Sequence, residues 1–269
     1  MNGQWMSKWR KYEAVMLITL RHQLAYKADF LLRSVFLLLI LFIFIQLWQA
    51  AYEGDSSRLI AGFSLKQIIW YLVFTEALTM AGPQLGMRVE EEVKNGEIAV
   101  RLTRPLSYTG FHYMCYTGEA YLRFAVHLAV GSVIATALIG PPSFGGGWAA
   151  LLIMSIGSFT VAYMLSMIVA LCAFWVEETR GLEFVMQKLQ FTVGGMLIPL
   201  DLMPEWLQRI CLWLPFQAVL YFPAKIAVSY DSRLFAEFIT IQWGWVILLS
   251  VLLAIMYRSG VRKLHVNGG

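Results

Sequence analysis

The run LLRSVFLLLILFIFIQLWQAA, residues 31–51, decides the fold. Its one charged side chain, Arg33, stands near the start, where a long stem can carry the guanidinium to lipid headgroups. A bilayer core ~30 Å thick needs about 20 apolar residues in a helix, and this run supplies them. Comparable runs follow at Lys66–Leu85, His112–Ile139, Trp148–Trp175, Leu182–Leu200 and Phe238–Tyr257, which predicts six spans. Trp48, Trp70, Trp148, Trp175, Trp243 and Tyr257 fall near the expected span ends, as an interfacial aromatic belt requires. The composition agrees: 59% of residues are hydrophobic and 14% charged, with mean hydropathy +0.63. A soluble domain carries roughly 25% charged residues.

An even number of spans puts both termini on one side, and the basic residues choose it. With the termini inside, the inner side holds Lys8, Arg10, Lys11, Arg21, Lys27, Arg33, Arg88, Lys94, Arg101, Arg104, Arg180, Lys188, Arg258, Arg262 and Lys263. The outer side holds only Arg58, Lys66, Arg209, Lys225 and Arg233, while Arg123 lies within the third span. This positive-inside asymmetry places both termini in the cytoplasm of a multi-pass inner (plasma) membrane protein. The net charge of +4 is too small and dispersed to suggest nucleic acid.

Ahead of the first span, Ala14–Leu20 is too short to cross, and Met16, Leu20 and Leu24 recur with helical period. That pattern predicts an amphipathic helix on the inner surface. The expected organisation is therefore one all-α transmembrane domain, 1–269: a surface helix over 1–30, six spans over 31–258 and a tail over 259–269.

Several segments carry more than lipid-facing side chains. Between the second and third spans come Arg88, Glu90, Glu91, Glu92, Lys94, Asn95, Gly96, Glu97, Arg101 and Arg104. Asn-Gly is a turn signal, so this segment predicts a compact charged hairpin, suited to docking a soluble partner. Between the fifth and sixth spans, Gly194–Pro223 is nearly as apolar as a span yet holds Pro199, Pro204, Pro215 and Pro223. Proline-broken backbone cannot face lipid unsatisfied, which predicts short re-entrant or extracellular helices. Pro204 followed by Glu205 marks a helix start.

Charged and polar groups inside spans are costly and informative. Glu119 and Arg123 are four apart and share a helix face. Thr75, Glu76 and Thr79 in the second span and Gln187, Lys188, Gln190 and Thr192 in the fifth are candidates to line a path. Ser158, Ala162, Ser166 and Ala170 make a stripe of small residues in the fourth span, which permits close helix packing. His112 and His127 are not spaced as ligands. Cys115, Cys172 and Cys211 form no CxxC or Cys/His cluster, so neither a disulfide framework nor a metal site is expected. There is no GxxxxGK[ST] loop, HExxH or GxSxG, so catalysis in this chain is not expected.

The surface helix, the charged loop after the second span and the Pro-rich stretch before the last together resemble the permease subunit of a type-2 ABC exporter, in the branch whose ATPases are separate chains. The residues that carry the likeness are Asn95-Gly96-Glu97-Ile98-Ala99-Val100-Arg101-Leu102-Thr103-Arg104-Pro105-Leu106 and Ile198-Pro199-Leu200-Asp201-Leu202-Met203-Pro204-Glu205-Trp206-Leu207. The resemblance implies a dimer with a second copy or a paralogous permease, resting on two ABC ATPase subunits that bind ATP and Mg, with no cofactor in this chain. It assigns the Arg88–Arg104 loop to ATPase coupling. It lays the export path along the dimer interface, with Pro199, Asp201, Pro204 and Trp206 in the exit cap. The alternative is an ATP-independent secondary transporter or channel using Glu76, Glu119 or Lys188. Substrate identity and the composition of the dimer are left open by the sequence, with a mild lean towards an amphipathic small molecule.

Overall fold

The structure, a computed structural model, describes residues 2–25, 27–53 and 58–267, with side chains over 10–25, 32–53 and 58–263. Lys8, Lys27 and the last residues of the expected tail lie outside the described side chains. Among the described residues the chain is all-α: α1 (Asn2–Ala25), α2 (Lys27–Ala51), α3 (Leu65–Ala81), α4 (Leu85–Lys94), α5 (Glu97–Leu102), α6 (Tyr108–Ile139), α7 (Gly147–Leu171), α8 (Arg180–Val193), α9 (Glu205–Leu212), α10 (Tyr221–Val228) and α11 (Ser232–Asn267).

Among the described residues, four helices are long and apolar enough to cross a membrane: Leu32–Ala51, Tyr108–Ile139, Gly147–Phe174 and Ser232–Lys263. The most apolar window of Gly147–Phe174 is 67% buried, against 17%, 28% and 22% in the first, second and last of these helices. So α7 is a core helix, while α2, α6 and α11 present broad apolar faces outward, where lipid can cover them. The remaining two predicted spans are shorter. α3 has 17 residues, twelve of them buried, and packs against α6, α10 and α2. Its apolar character serves a protein core, so its length need not match the bilayer.

The run Leu182–Leu200 is continuous in hydropathy but not in structure. α8 stops at Val193, after 14 residues, or about 21 Å of helix. Gly194 and Gly195 end it: Gly195 has φ +73°, and a Cβ on Gly194 would lie 2.2 Å from the Gln190 carbonyl oxygen. The expected tail over 259–269 is in fact helical as far as Asn267, as a continuation of α11.

Local chemistry explains how the core closes. α3 begins in a capping box, with Ser64 Oγ accepting from the Gln67 N–H and Gln67 Oε1 from the Ser64 N–H. The Gln67 amide also donates to the Val228 carbonyl at 3.1 Å, tying the start of α3 to the end of α10. The Pro-rich segment folds into α9, α10 and two 3-10 turns, Leu200–Leu202 and Pro215–Ala218. It dips into the molecule. The Ala218 carbonyl reaches Ser158 about halfway along α7, and Ala227 returns to Gly147 at the start of that helix. The small residues of α7 make this approach possible. Gln242 of α11 donates to the Met154 and Ala218 carbonyls and to Ser158 Oγ, at 3.2, 2.8 and 3.2 Å. That network satisfies the Ala218 carbonyl, which lies at the end of a turn and not within an α-helix.

Gly147 shows how tight the fit is, since a Cβ there would lie 2.1 Å from the Ala227 carbonyl oxygen. Backbone stands on both sides, so Gly147→Ala is expected to destabilise the protein by about 1–3 kcal/mol. Thermal unfolding in detergent checks this. Gly244→Ala is the control, because nothing lies within 4 Å of a Cβ at Gly244.

α1 lies along the first half of α6. Tyr12 Oη accepts the Ser107 N–H at 3.1 Å, and Met16 sits over Gly118, 3.2 Å from where a Cβ would be.

Candidate functional site: a braced hairpin beneath a polar cavity

α4 and α5 form a helical hairpin that turns at Asn95-Gly96, where Gly96 takes φ +71°. At this left-handed position a Cβ is disfavoured. The hairpin is braced, and its own charges do the bracing. Glu92 is buried and accepts from Tyr108 Oη at 2.8 Å, from Arg101 at 2.9 Å and pairs with His112 Nε2 at 3.2 Å. One carboxylate thus joins α4, α5 and α6. Arg101 also lies over the Phe111 ring at 5.2 Å. Glu90 is buried too, and accepts from Lys94 at 2.5 Å and from the N–H and hydroxyl of Thr179 at 2.8 and 2.6 Å. Arg88 reaches Glu119 at 2.7 Å. The expected pair between Glu119 and Arg123 is present at 2.5 Å, so Glu119 is shared by two arginines.

The ten residues assigned from sequence to the coupling loop therefore divide. Arg88, Glu90, Glu92 and Arg101 are spent on internal pairs, and Lys94 holds Glu90. Glu91, Asn95, Gly96, Glu97 and Arg104 are exposed, as is Val100 at 62%.

Hydrogen bonds from Lys94 and Thr179 lower the Glu90 carboxyl from its ordinary 4.5 to about 2. Burial works to raise Glu92, but the bonds from His112 and Tyr108 and the charge of Arg101 outweigh it and hold that carboxyl low as well. Groups depressed by folding stabilise in full above the ordinary carboxylate pKa and lose that contribution as pH falls through the folded value. The hairpin is thus expected to loosen between about pH 4.5 and pH 2. The motion of a nitroxide at Glu97→Cys reads this. A Glu90→Gln, Glu92→Gln background should flatten the response.

Above the hairpin lies a cavity of about 330 Å³ among α2, α3, α6, α7, α8 and the residues Val219 and Leu220, within the range of small-molecule sites. Thr79, Gln187 and Gln190 line it, together with Lys188, Arg33, Ser158, Ser166, Tyr116 and Phe191. The structure thus brings together three of the six residues proposed for a path. The others lie elsewhere. Thr75 donates to the Met196 carbonyl at 2.8 Å, and Thr192 is exposed and donates to the Lys188 carbonyl. Glu76 is 1% exposed, with neither carboxylate oxygen hydrogen-bonded among the described residues. No residue of α8 is buried in the single chain, so the cavity's α8 wall is open on its outer side.

In the exit-cap segment, Pro199 is buried and Asp201 accepts from Tyr221 Oη at 2.9 Å and Lys225 Nζ at 3.0 Å. Pro204 precedes α9, and Trp206 is 65% exposed. Lys225 also stands over the Phe63 ring at 4.0 Å. Sequence reasoning missed Thr179, Tyr108, Gln242 and the Asp201–Lys225 pair. Gln242, an amide in an apolar helix, is the only one of these with a visible signal.

Bundled apolar helices, a braced charged hairpin at one end and a half-polar cavity above it define a membrane permease component. The chain belongs to the ABC-2 transporter family: a family model described as ABC-2 family transporter protein matches residues 35–268. Among curated proteins, none shows significant similarity to the chain.

Proposed function

We propose that this chain is the permease subunit of an ATP-driven exporter in the cell's inner membrane, working with separate ABC ATPase subunits. In this reading α3 and α8 complete six crossings with the four long helices, both termini face the cytoplasm, and the α4–α5 hairpin meets the ATPase. The open face of α8 is covered by a second permease, the same or paralogous, so that the cavity becomes part of a shared path for an amphipathic small molecule. The segment Pro199–Trp206 caps its outer end. The observation that carries the reading is the hairpin itself. Three internal charge clusters hold it stiff while its tip stays exposed, which is what transmission of force from a soluble motor requires. Coupling further requires that the motor's nucleotide states bind the two permease conformations differently.

Affinity purification from the native membrane tests the reading. An ATPase chain should accompany the permease, and vanadate should stop substrate efflux. The buried Glu76 favours a second reading, an ion- or proton-driven carrier, since an unpartnered intramembrane carboxylate suits an ion or proton site. Efflux stopped by an uncoupler and indifferent to vanadate, with no ATPase bound, would select that reading instead.

A further inference from the structure

We propose that Glu90 and Thr179 form the joint through which movement of the α4–α5 hairpin reaches α8 and the cavity wall, making both positioning residues for transport. The inference rests on the exporter reading for its motor, but the joint itself is visible in the single chain.

Thr179 is the residue immediately before α8, the N-cap position, where a threonine oxygen ordinarily accepts a backbone N–H from the first turn. Thr179 makes no such cap. Its hydroxyl donates outward to Glu90 Oε2 at 2.6 Å, and its backbone N–H donates to the same oxygen at 2.8 Å. A local stabilisation of α8 has been given up for a bond to another helix. The carboxylate also lies at the positive end of the α8 dipole, where a negative charge is favourable. Both partners are buried, Glu90 at 4% and Thr179 at 0% exposure.

A second contact lies one turn away. Gly86 is four residues before Glu90 on the same face of α4, and a Cβ there would lie 1.0 Å from Glu183 Oε1. The Glu183 side chain of α8 fills the space that glycine leaves open. One contact would make a pivot. Two contacts a turn apart fix the direction of the first turn of α8, so a tilt of α4 must carry α8 with it. Gln187, four residues beyond Glu183, and Gln190 line the cavity. The route from the exposed hairpin tip to the cavity is therefore short and made of stiff elements: α4, the Glu90–Thr179 clasp and α8.

The first test uses the full chain alone in nanodiscs and reads hydrogen exchange over residues 180–186. Ile98→Ala perturbs the hairpin at a buried α5 side chain and should speed exchange there by about 3- to 10-fold, the range of a partial local destabilisation. On a Thr179→Val background, which leaves Glu90 only the backbone N–H bond, Ile98→Ala should speed exchange by clearly less than in the parent, whereas Thr179→Ser should restore the response. Equal effects of Ile98→Ala on both backgrounds, or none on the parent, would overturn the proposal.

The second test uses the assembled complex with its ATPase and follows labelling of Gln187→Cys by a water-soluble maleimide, against the parent chain. ATP with vanadate should change the labelling rate in the parent and in Thr179→Ser, and change it clearly less in Thr179→Val while ATP hydrolysis continues. An unaltered nucleotide response in Thr179→Val would also sink the joint. Absence of any copurifying ATPase would refute the exporter reading alone, and the exchange measurement would still decide the clasp.

Discussion

Replacing Glu119 by alanine is expected to destabilise the purified protein severely, well beyond the effect of Gly147→Ala. Glu119 has no exposed surface and pairs with Arg123 at 2.5 Å and Arg88 at 2.7 Å. Arg123 is itself only 6% exposed, whereas the Arg88 side chain is 44% exposed. Deleting the shared carboxylate leaves Arg88 free to turn to solvent but takes from the buried Arg123 its carboxylate partner at 2.5 Å. Breaking a buried ion pair from one side costs about 3–5 kcal/mol, because the remaining charge loses its compensation and not merely a contact. A loss of that size lowers the thermal midpoint on the order of 10 °C. The double replacement Glu119→Leu with Arg123→Met removes both charges and should recover most of the loss, since apolar groups of similar volume often replace a buried pair without penalty. Size-exclusion profiles after a temperature ramp report both. A midpoint for Glu119→Ala within about 2 °C of wild type would show that Glu119 is not what compensates the Arg123 charge.

The same cluster explains what could be read from the chain alone. Long apolar runs announce α2, α6, α7 and α11, because lipid-facing helices must be apolar along their whole length. They overstate the lengths of α3 and α8. α3 is apolar because protein surrounds it, and α8 is a short helix whose run continues, in composition only, through Gly194-Gly195 into a turn. The hairpin was legible as an element through Asn95-Gly96, but not the direction of its charges. Glu90, Glu91 and Glu92 are consecutive on a helix, about 100° apart, and cannot face one way. Leu85 and Val89 mark the inward side. Glu90, four residues after Gly86, and Glu92, three after Val89, fall towards it, which leaves Glu91 outward. The phase was present in the sequence. What hid it was the reasonable expectation that a carboxylate seeks water, which fails when Thr179, Tyr108, His112 and Arg101 arrive from distant segments to receive it.

That division of the hairpin yields the second large effect, on assembly. On the proposed exporter reading, substituting the outward residues together, Val100→Asp with Arg104→Glu, is expected to reduce the ATPase retained by the chain by about 30-fold, the loss that follows from removing a roughly 2 kcal/mol interface anchor. Val100 is 62% exposed on a short helix otherwise flanked by charge, with Glu97 before it and Arg104 after it. An apolar side chain within a polar rim is the arrangement from which interface energy is drawn. Neither residue belongs to the bracing clusters, so the hairpin and the thermal midpoint should be unchanged. Glu92→Ala provides the contrast. It removes no outward-facing group, but it unties α4, α5 and α6 at once, so it should weaken both the fold of the hairpin and ATPase retention. Native copurification followed by immunoblotting, with exchange over residues 85–102 in the same samples, separates the two routes. Retention unchanged in the Val100 and Arg104 double variant would mean that the motor grips another surface. Retention lost only in Glu92→Ala would mean that the hairpin's stiffness matters to the complex while its tip does not.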